Sequence, residues 1–417
     1  MQLLLFVLGL FFIIMSVSFV KESFSRTFLL GLMFVDILVF KGMYENNTSI
    51  NEIALLFILM SNVLIFLVSL ILKNLPKKNT EVVEKVSKDR YLLFKLYLFS
   101  LLSLFFILWS IGGYNSVSSS WLVIKNEMDS NSLISLLSTF LFIYSLINLR
   151  KYYVENNSSM IEIILPTLIL LLFVFILRIK LFIIPIILIF LIPKTINEID
   201  LKKFMKISIV LIASYFVVMF ARWLGDLSSM TLESLYATLL SVYNAGVERE
   251  MYHQFTSVFE YYFNTSNFHY GSAYFRLFFE PINRIFSLDI LFENPMYQYY
   301  TISNNFVFVE GGSAHPSLYV DSYASLNFFG VIIPASWLFI IYIIEKGFLL
   351  KKDGEIIFVA FTIALPLLVR GSVFYAMLYF ILIMFFWLIR KSIKFKLKRM
   401  EKKCILFLGM ILLLIQC

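Results

Sequence analysis

Charged side chains are scarce in this chain of 417 residues, 15% against roughly 25% in an ordinary soluble domain. Hydrophobic residues make up 60%, and the mean hydropathy is +0.87. This balance excludes a water-soluble globule and leaves a polytopic membrane protein. Cysteine is nearly missing: Cys404 and Cys417 both fall in the last apolar segment, so no disulfide framework or cysteine metal site is expected. Histidine is as rare, with His253, His269 and His315 all in one stretch. Lysine vanishes between Lys206 and Lys346. No internal repeat or low-complexity tract occurs. Segment 2–20 has neither a basic start nor a small-residue cleavage site, so it reads as a retained span and not a signal peptide.

What remains is long hydrophobic runs. Crossing ~30 Å of hydrocarbon takes ~20 apolar residues. Twelve candidate spans follow: 2–20, 27–43, 53–72, 91–111, 132–149, 161–177, 181–193, 207–221, 326–344, 355–370, 373–389 and 404–417. Segment 181–193 is short and carries Pro185, so it also reads as re-entrant. Lysine and arginine favour the cytoplasmic side. Alternating the loops puts 25 of the 35 cations on one side and nine on the other, with Lys95 inside a span. The fold expected is therefore all-α, a transmembrane bundle of about twelve spans. Residues 1–221 form an N-terminal bundle of about eight spans, 222–325 one large outside loop, and 326–417 a C-terminal bundle of three to four spans. The net charge of +8 belongs to the inner face, against anionic lipid, and implies no nucleic-acid partner. The loop is locally acidic, with ten carboxylates against four arginines.

Chemistry is expected at the outer face. Arg178 and Lys180 sit in a tight outer turn, Arg222 at the outer end of the eighth span and Arg370 at that of the tenth. Four cations at one level suit a phosphate or diphosphate at the lipid–water boundary, because the arginine fork matches phosphate oxygens. Snorkelling or pairing with loop carboxylates such as Asp226 is the structural alternative. The densest local signal is Glu310-Gly-Gly-Ser-Ala-His315-Pro-Ser-Leu-Tyr-Val-Asp321-Ser-Tyr-Ala-Ser-Leu-Asn327-Phe-Phe-Gly330. Two glycines give an approachable backbone, and Pro316 fits the first helical position. A helix N-terminus disfavours the imidazolium, leaving His315 able to accept a proton. Asp321 and Glu310 are alternative bases. His253 and His269 read as incidental, and most loop aromatics as core. Asp36, inside the second span, suggests a proton pathway, because ionisable groups in a membrane interior are functional candidates.

With these residues in place, the chain resembles the O-antigen polymerases of the Wzy type, and the related O-antigen ligases. The resemblance is architectural over the whole chain and motif-like only over 310–330. Arginine motifs followed by a glycine eleven residues on, described for some members, do not occur. The resemblance implies a GT-C-like membrane glycosyltransferase of the bacterial inner membrane with a periplasmic active face. Its substrate would be an undecaprenyl-diphosphate-linked oligosaccharide, polymerised by attack of a sugar hydroxyl on the diphosphate-linked growing chain. A chain-length-determining membrane protein and membrane lipid would be its partners. His315 would activate the acceptor, while Arg222 and Arg370 would hold the diphosphate, with Arg178, Lys180, Arg276 and Arg284 as further candidates. No cofactor or metal is expected: the loop has no Asp-x-Asp motif and no His/Cys cluster. A flippase or transporter of the same lipid-linked sugar is the alternative outside the enzymes.

Overall fold

The computed structural model describes residues 1–45, 49–75, 90–113, 121–155, 161–177, 182–191, 247–272, 275–276, 295–304, 316–348, 354–377 and 379–381, with single positions at 231, 233 and 236. Among the described residues the regular structure is all helix. Among the described residues five unbroken helices are long and apolar enough to cross a membrane, Gln2–Phe19, Ser23–Tyr44, Ile50–Asn74, Arg90–Ser110 and Ser132–Val154; the apolar helical stretch Leu318–Gly347 has the length but is interrupted by a 3-10 turn. Glu162–Leu177 and Gly354–Val369 are shorter apolar helices. Their outward surfaces are greasy. Phe11, Phe34, Ile71, Phe94, Phe105 and Leu168 are each exposed. Exposed apolar area on this scale belongs against lipid, so the protein is membrane-embedded. The expected spans 207–221 and 404–417 lie outside the described residues, as does about half of the expected loop.

The helices are α1 (Gln2–Phe19), α2 (Ser23–Glu45), α3 (Ser49–Asn74), α4 (Arg90–Ser110), α5 (Trp121–Ser130), α6 (Ser132–Glu155), α7 (Ile161–Leu177) and α8 (Ile183–Leu191), then α9 (Val247–Thr265), α10 (Pro295–Ser303), α11 (Leu318–Leu326), α12 (Ile332–Phe348) and α13 (Gly354–Val369). Two compact units result. The first joins Met1–Thr80, Ala245–Lys352 and Ala364–Phe385; the second joins Glu81–Asn244, Asp353–Ile363 and Phe386–Cys417.

In the first unit, α1, α2 and α3 pack together and α12 packs against α2 and α3. The ends of α1, α3 and α12 meet the start of α2. There Glu345 of α12 accepts hydrogen bonds from the Phe24 N–H (2.9 Å), the Ser25 N–H (3.0 Å) and the Ser25 hydroxyl (2.9 Å). A carboxylate from over 300 residues away thus caps the orphan amides of α2 and complements its dipole. Lys346 pairs with Glu22 at 2.8 Å, and Tyr342 donates to the Leu72 carbonyl at 3.3 Å.

Between α10 and α12 the chain folds back on itself. Residues Leu318–Ser325 of α11 are all buried. Tyr319 meets Asn62 near the midpoint of α3. Tyr323 lies at 5.3 Å from Phe57, about one and a half turns nearer the start of α3. A 3-10 turn over Asn327–Val331 then reverses the chain into α12. The reversal is tight: a Cβ on Gly330 would lie 2.0 Å from the Ser322 carbonyl oxygen, so only glycine fits. Helix α9 lies along α2, α3 and α11, burying Phe255, Val258, Phe259 and Tyr262. It comes so close to α2 that a Cβ on Gly42 would strike the Tyr252 ring.

The second unit packs α4 on α6 through small residues. Ser100, Ser103 and Ser110 of α4 and Ser138 and Ser145 of α6 are buried, each returning its hydroxyl to its own helix. Arg150, expected at the inner water face, is instead 1% exposed. It donates to the Ile189 carbonyl at 2.8 Å and lies 4.1 Å over the Phe358 ring. Ile189 sits in the last turn of α8, whose carbonyls lack helical partners, and the guanidinium satisfies one of them.

Candidate functional site

The site is built around a helix break. Helix α13 ends at Val369, where the Gly371 N–H donates to the Leu368 carbonyl (3.0 Å) and the Ser372 N–H to the Leu367 carbonyl (2.8 Å). These two bonds, with Gly371 at φ +83°, make a Schellman cap. A new turn of helix starts at once, with the Ala376 N–H on the Ser372 carbonyl at 2.9 Å. The break lies deep in the first unit, since Val369 packs on Gly31, eight residues into α2. Arg370 therefore stands at a break within the bundle.

Ser317 is docked on this break. Its N–H donates to the Arg370 carbonyl at 3.1 Å, and its own carbonyl would lie 2.4 Å from a Cβ on Gly371. Ser317 caps α11, accepting the Asp321 N–H on its carbonyl (3.1 Å) and the Val320 N–H on its hydroxyl (3.5 Å). It does so at φ 115° and ψ 162°, a region that costs a non-glycine residue about 1–3 kcal/mol. Strain of this kind persists only where neighbours over-determine the backbone, as Arg370, Gly371 and the α11 amides do here. One turn beyond the break, the Arg276 guanidinium lies 5.2 Å over the Phe374 ring. The segment 370–374 therefore gathers Arg370, Arg276 and the start of the 316–330 motif.

Behind the break lies a polar core. Asp321 is 1% exposed, and its Oδ1 accepts the Tyr299 hydroxyl of α10 at 2.9 Å. The His269 ring stands edge-on to Tyr299, 5.5 Å between centroids, and its Nε2 is hydrogen-bonded to the Tyr262 hydroxyl at 2.5 Å. The His269 amide is fixed to the Ala324 carbonyl of α11 at 2.8 Å. Burial pushes the imidazole down to about 4, because the apolar surroundings disfavour the cation. His269 is thus neutral at physiological pH. His253 serves structure: its Nε2–H donates to the Ser303 carbonyl at 2.9 Å, tying α9 to the end of α10.

On the opposite face of α11 the Tyr319 hydroxyl donates to Asn62 Oδ1 at 2.9 Å. Asn62 Nδ2 donates to Asp36 Oδ2 at 2.8 Å and to the Gly9 carbonyl at 3.3 Å. Asp36 is 2% exposed.

Of the residues expected to act, Asp321, Arg276 and Arg370 are described; the first lies behind the break, and the other two flank it. His315, Glu310, Arg222, Arg178, Lys180 and Arg284 lie outside the described residues. Sequence reasoning passed over His269, Tyr262 and Tyr299 as incidental or core, and gave Asn62 and Tyr319 no role. The readable signal for α11 was its polar positions, Tyr319, Asp321, Ser322 and Ser325, in a stretch too apolar to be a loop. No protein-family model, curated protein or solved structure matches the chain.

Proposed function

We propose that this protein is an O-antigen polymerase: a glycosyltransferase of about twelve spans that joins undecaprenyl-diphosphate-linked repeat units at the periplasmic face of the inner membrane. The observation that carries this reading is the docking of Ser317 on the Arg370 turn. His315 is two residues before Ser317, and neighbouring Cα atoms are only ~3.8 Å apart along the chain. In this reading His315, close to Ser317 along the chain, supplies a base beside the Arg370 turn, with Arg276 a turn away. That pairing suits transfer from a diphosphate-linked sugar. Fixed arginines neutralise the leaving diphosphate without reorganising, while the base takes the proton of the attacking hydroxyl. In this reading His315 is the catalytic base, Arg370 and Arg276 hold the diphosphate, and Asp321 with Tyr299 positions the α11 start. A chain-length-determining membrane protein is the expected partner.

A second reading, a flippase for the same lipid-linked sugar, draws on the interruption of α13 at 370–372. Discontinuous helices near the membrane interior are a transporter device. Gels of cell-surface lipopolysaccharide from a deletion strain separate the two. A single-repeat band in place of the ladder supports the polymerase. Loss of every capped band turns the assignment to flippase or ligase, and an unchanged ladder refutes both. Complementation with His315→Ala should give the single-repeat band at normal protein level; wild-type chain lengths would remove His315 from the mechanism.

A further inference from the structure

We propose that Asp36, Asn62 and Tyr319 form a binding site for a small monovalent cation, a proton or a sodium ion, inside the membrane-embedded bundle. The site goes beyond the glycosyltransferase reading and does not rest on it.

Asp36 lies near the midpoint of α2 and is 2% exposed. A carboxylate withdrawn from water demands compensation by hydrogen bonds or opposite charge. Oδ2 has one hydrogen bond, from Asn62; Oδ1 is buried with no partner among the described residues. Asn62 has nothing further to give. Its amide hydrogens go to Asp36 and Gly9, and its carbonyl oxygen takes the Tyr319 hydroxyl. The Tyr319 donation also fixes which end of Asn62 faces the carboxylate, so a donor points at Asp36 and leaves a second oxygen open.

Among the described residues no cation is paired with Asp36, Lys41 of the same helix included. Helix α1 carries no titratable side chain at all. On α3 the ionisable groups are Glu52 and Lys73, in the first and last turns. From α9, Tyr252 reaches α2 at Gly42, and from α12, Glu345 and Lys346 meet the start of α2. On α11, Asp321 is held by Tyr299. Arg370 meets α11 through its backbone at Ser317, and no described cation forms an ion pair with Asp36. No described side chain neutralises the carboxylate, and a bound cation would do so. A proton would sit on Oδ1. A sodium ion would find oxygens of the kind it prefers in Asp36, the Tyr319 hydroxyl and the Gly9 carbonyl.

A ligand that binds only the folded state raises its unfolding temperature in proportion to occupancy. The experiment is thermal unfolding of the detergent-purified protein in two series. One replaces choline chloride by sodium chloride at constant ionic strength and alkaline pH; the other varies pH in choline alone. Sodium as occupant gives an unfolding temperature that climbs with sodium. A proton as occupant gives no sodium effect and an unfolding temperature that falls as pH rises. In Asp36→Asn, whose amide is neutral without a ligand, the sodium dependence should vanish, or the fall with rising pH should shrink by the share that Asp36 carries. Tyr319→Phe, a smaller change, removes a hydroxyl that favours the carboxylate form through Asn62, so it should keep the fold and displace the same dependence to higher sodium or higher pH. A wild type indifferent to both series overturns the proposal. So does an Asp36→Asn protein that keeps the wild-type dependence, or a Tyr319→Phe protein that leaves it unmoved. The lipopolysaccharide ladder bears on the polymerase reading alone, so the two can fail separately.

Discussion

Replacing Gly371 by alanine tests whether the break in α13 holds the motif start in place. Two costs act there. The left-handed backbone, φ +83°, costs an alanine about 1–2 kcal/mol. The new Cβ would also meet the Ser317 carbonyl oxygen at 2.4 Å and carbon at 2.6 Å. Both are backbone atoms already fixed by Arg370 and by the α11 amides, so relief means moving a helix start, and overpacking of this sort costs about 1–3 kcal/mol. Stiffening the unfolded chain returns about 0.4–1 kcal/mol. The net expected loss is about 2–4 kcal/mol. Two other glycines separate the terms. Gly113 has φ +101° with nothing within 4 Å of its Cβ position, so Gly113→Ala shows the backbone term alone, about 1 kcal/mol. Gly347 has open space and an ordinary φ, so Gly347→Ala should be neutral or slightly stabilising. Denaturation of the three purified variants in one detergent gives the ranking, and the lipopolysaccharide ladder reports function. Gly371→Ala should shorten or abolish the ladder at a temperature where the protein is still folded, because Ser317 shifts against Arg370. If Gly371→Ala costs no more than Gly113→Ala, the close contact with Ser317 is not a constraint and the site geometry drawn from it falls.

His269 makes stability depend on acid. Its folded value of about 4 lies below the usual 6.5, so the unfolded chain binds a proton that the folded one refuses. The contribution is complete above about pH 6.5 and is lost as pH falls toward 4; it is about 2–3 kcal/mol, reduced by the ring's partial exposure. His269→Gln should flatten that part of the acid-unfolding curve, and an unchanged slope would count against it. Glu345→Ala removes the acceptor of three hydrogen bonds at the α2 start and should cost about 2–4 kcal/mol in a denaturant titration, with Glu345→Gln intermediate. Arg150→Met leaves the Ile189 carbonyl without its donor and should lower stability by about 1–3 kcal/mol in the same assay.

Hydrophobic run length made the lipid-facing helices legible, since α1, α2, α3, α4 and α6 each carry enough apolar residues to cross a bilayer. Their ends were legible too, because short polar links with cations separate them. The alternation of cations also expects residues 21–26, 73 and 346 on one side. Within the first unit those positions do share one end, through Glu22–Lys346, the Glu345 cap and the Tyr342–Leu72 bond. Arg150 escaped the same rule. A cation count treats every arginine as solvated, and only tertiary structure shows that a helix C-terminus needed this one.

The site was legible in parts and not in its assembly. The stretch 310–330 announced a helix start after Pro316, and α11 begins there. What a period or a hydropathy window cannot carry is that α11 stops after nine residues and turns back. Gly330 permits this, because a side chain there would meet the Ser322 backbone eight residues earlier. Arg370 has the same history. Read along the chain, Val-Arg-Gly-Ser at 369–372 looks like the far end of a span, because arginine and glycine commonly finish helices. The paired bonds to Leu367 and Leu368 do finish one, yet they do so inside the first unit, where Val369 meets Gly31, eight residues into α2. An arginine at that depth is costly unless it is used or satisfied. A glycine that accepts the Ser317 backbone, and a serine held in a strained conformation to reach it, are the local costs of bringing that arginine to the motif. Residues chosen only to end a helix would need neither, and this is the physical ground for seeking the chemistry at 316–317 and 370–371, ahead of the exposed aromatics such as Tyr270 and Phe275.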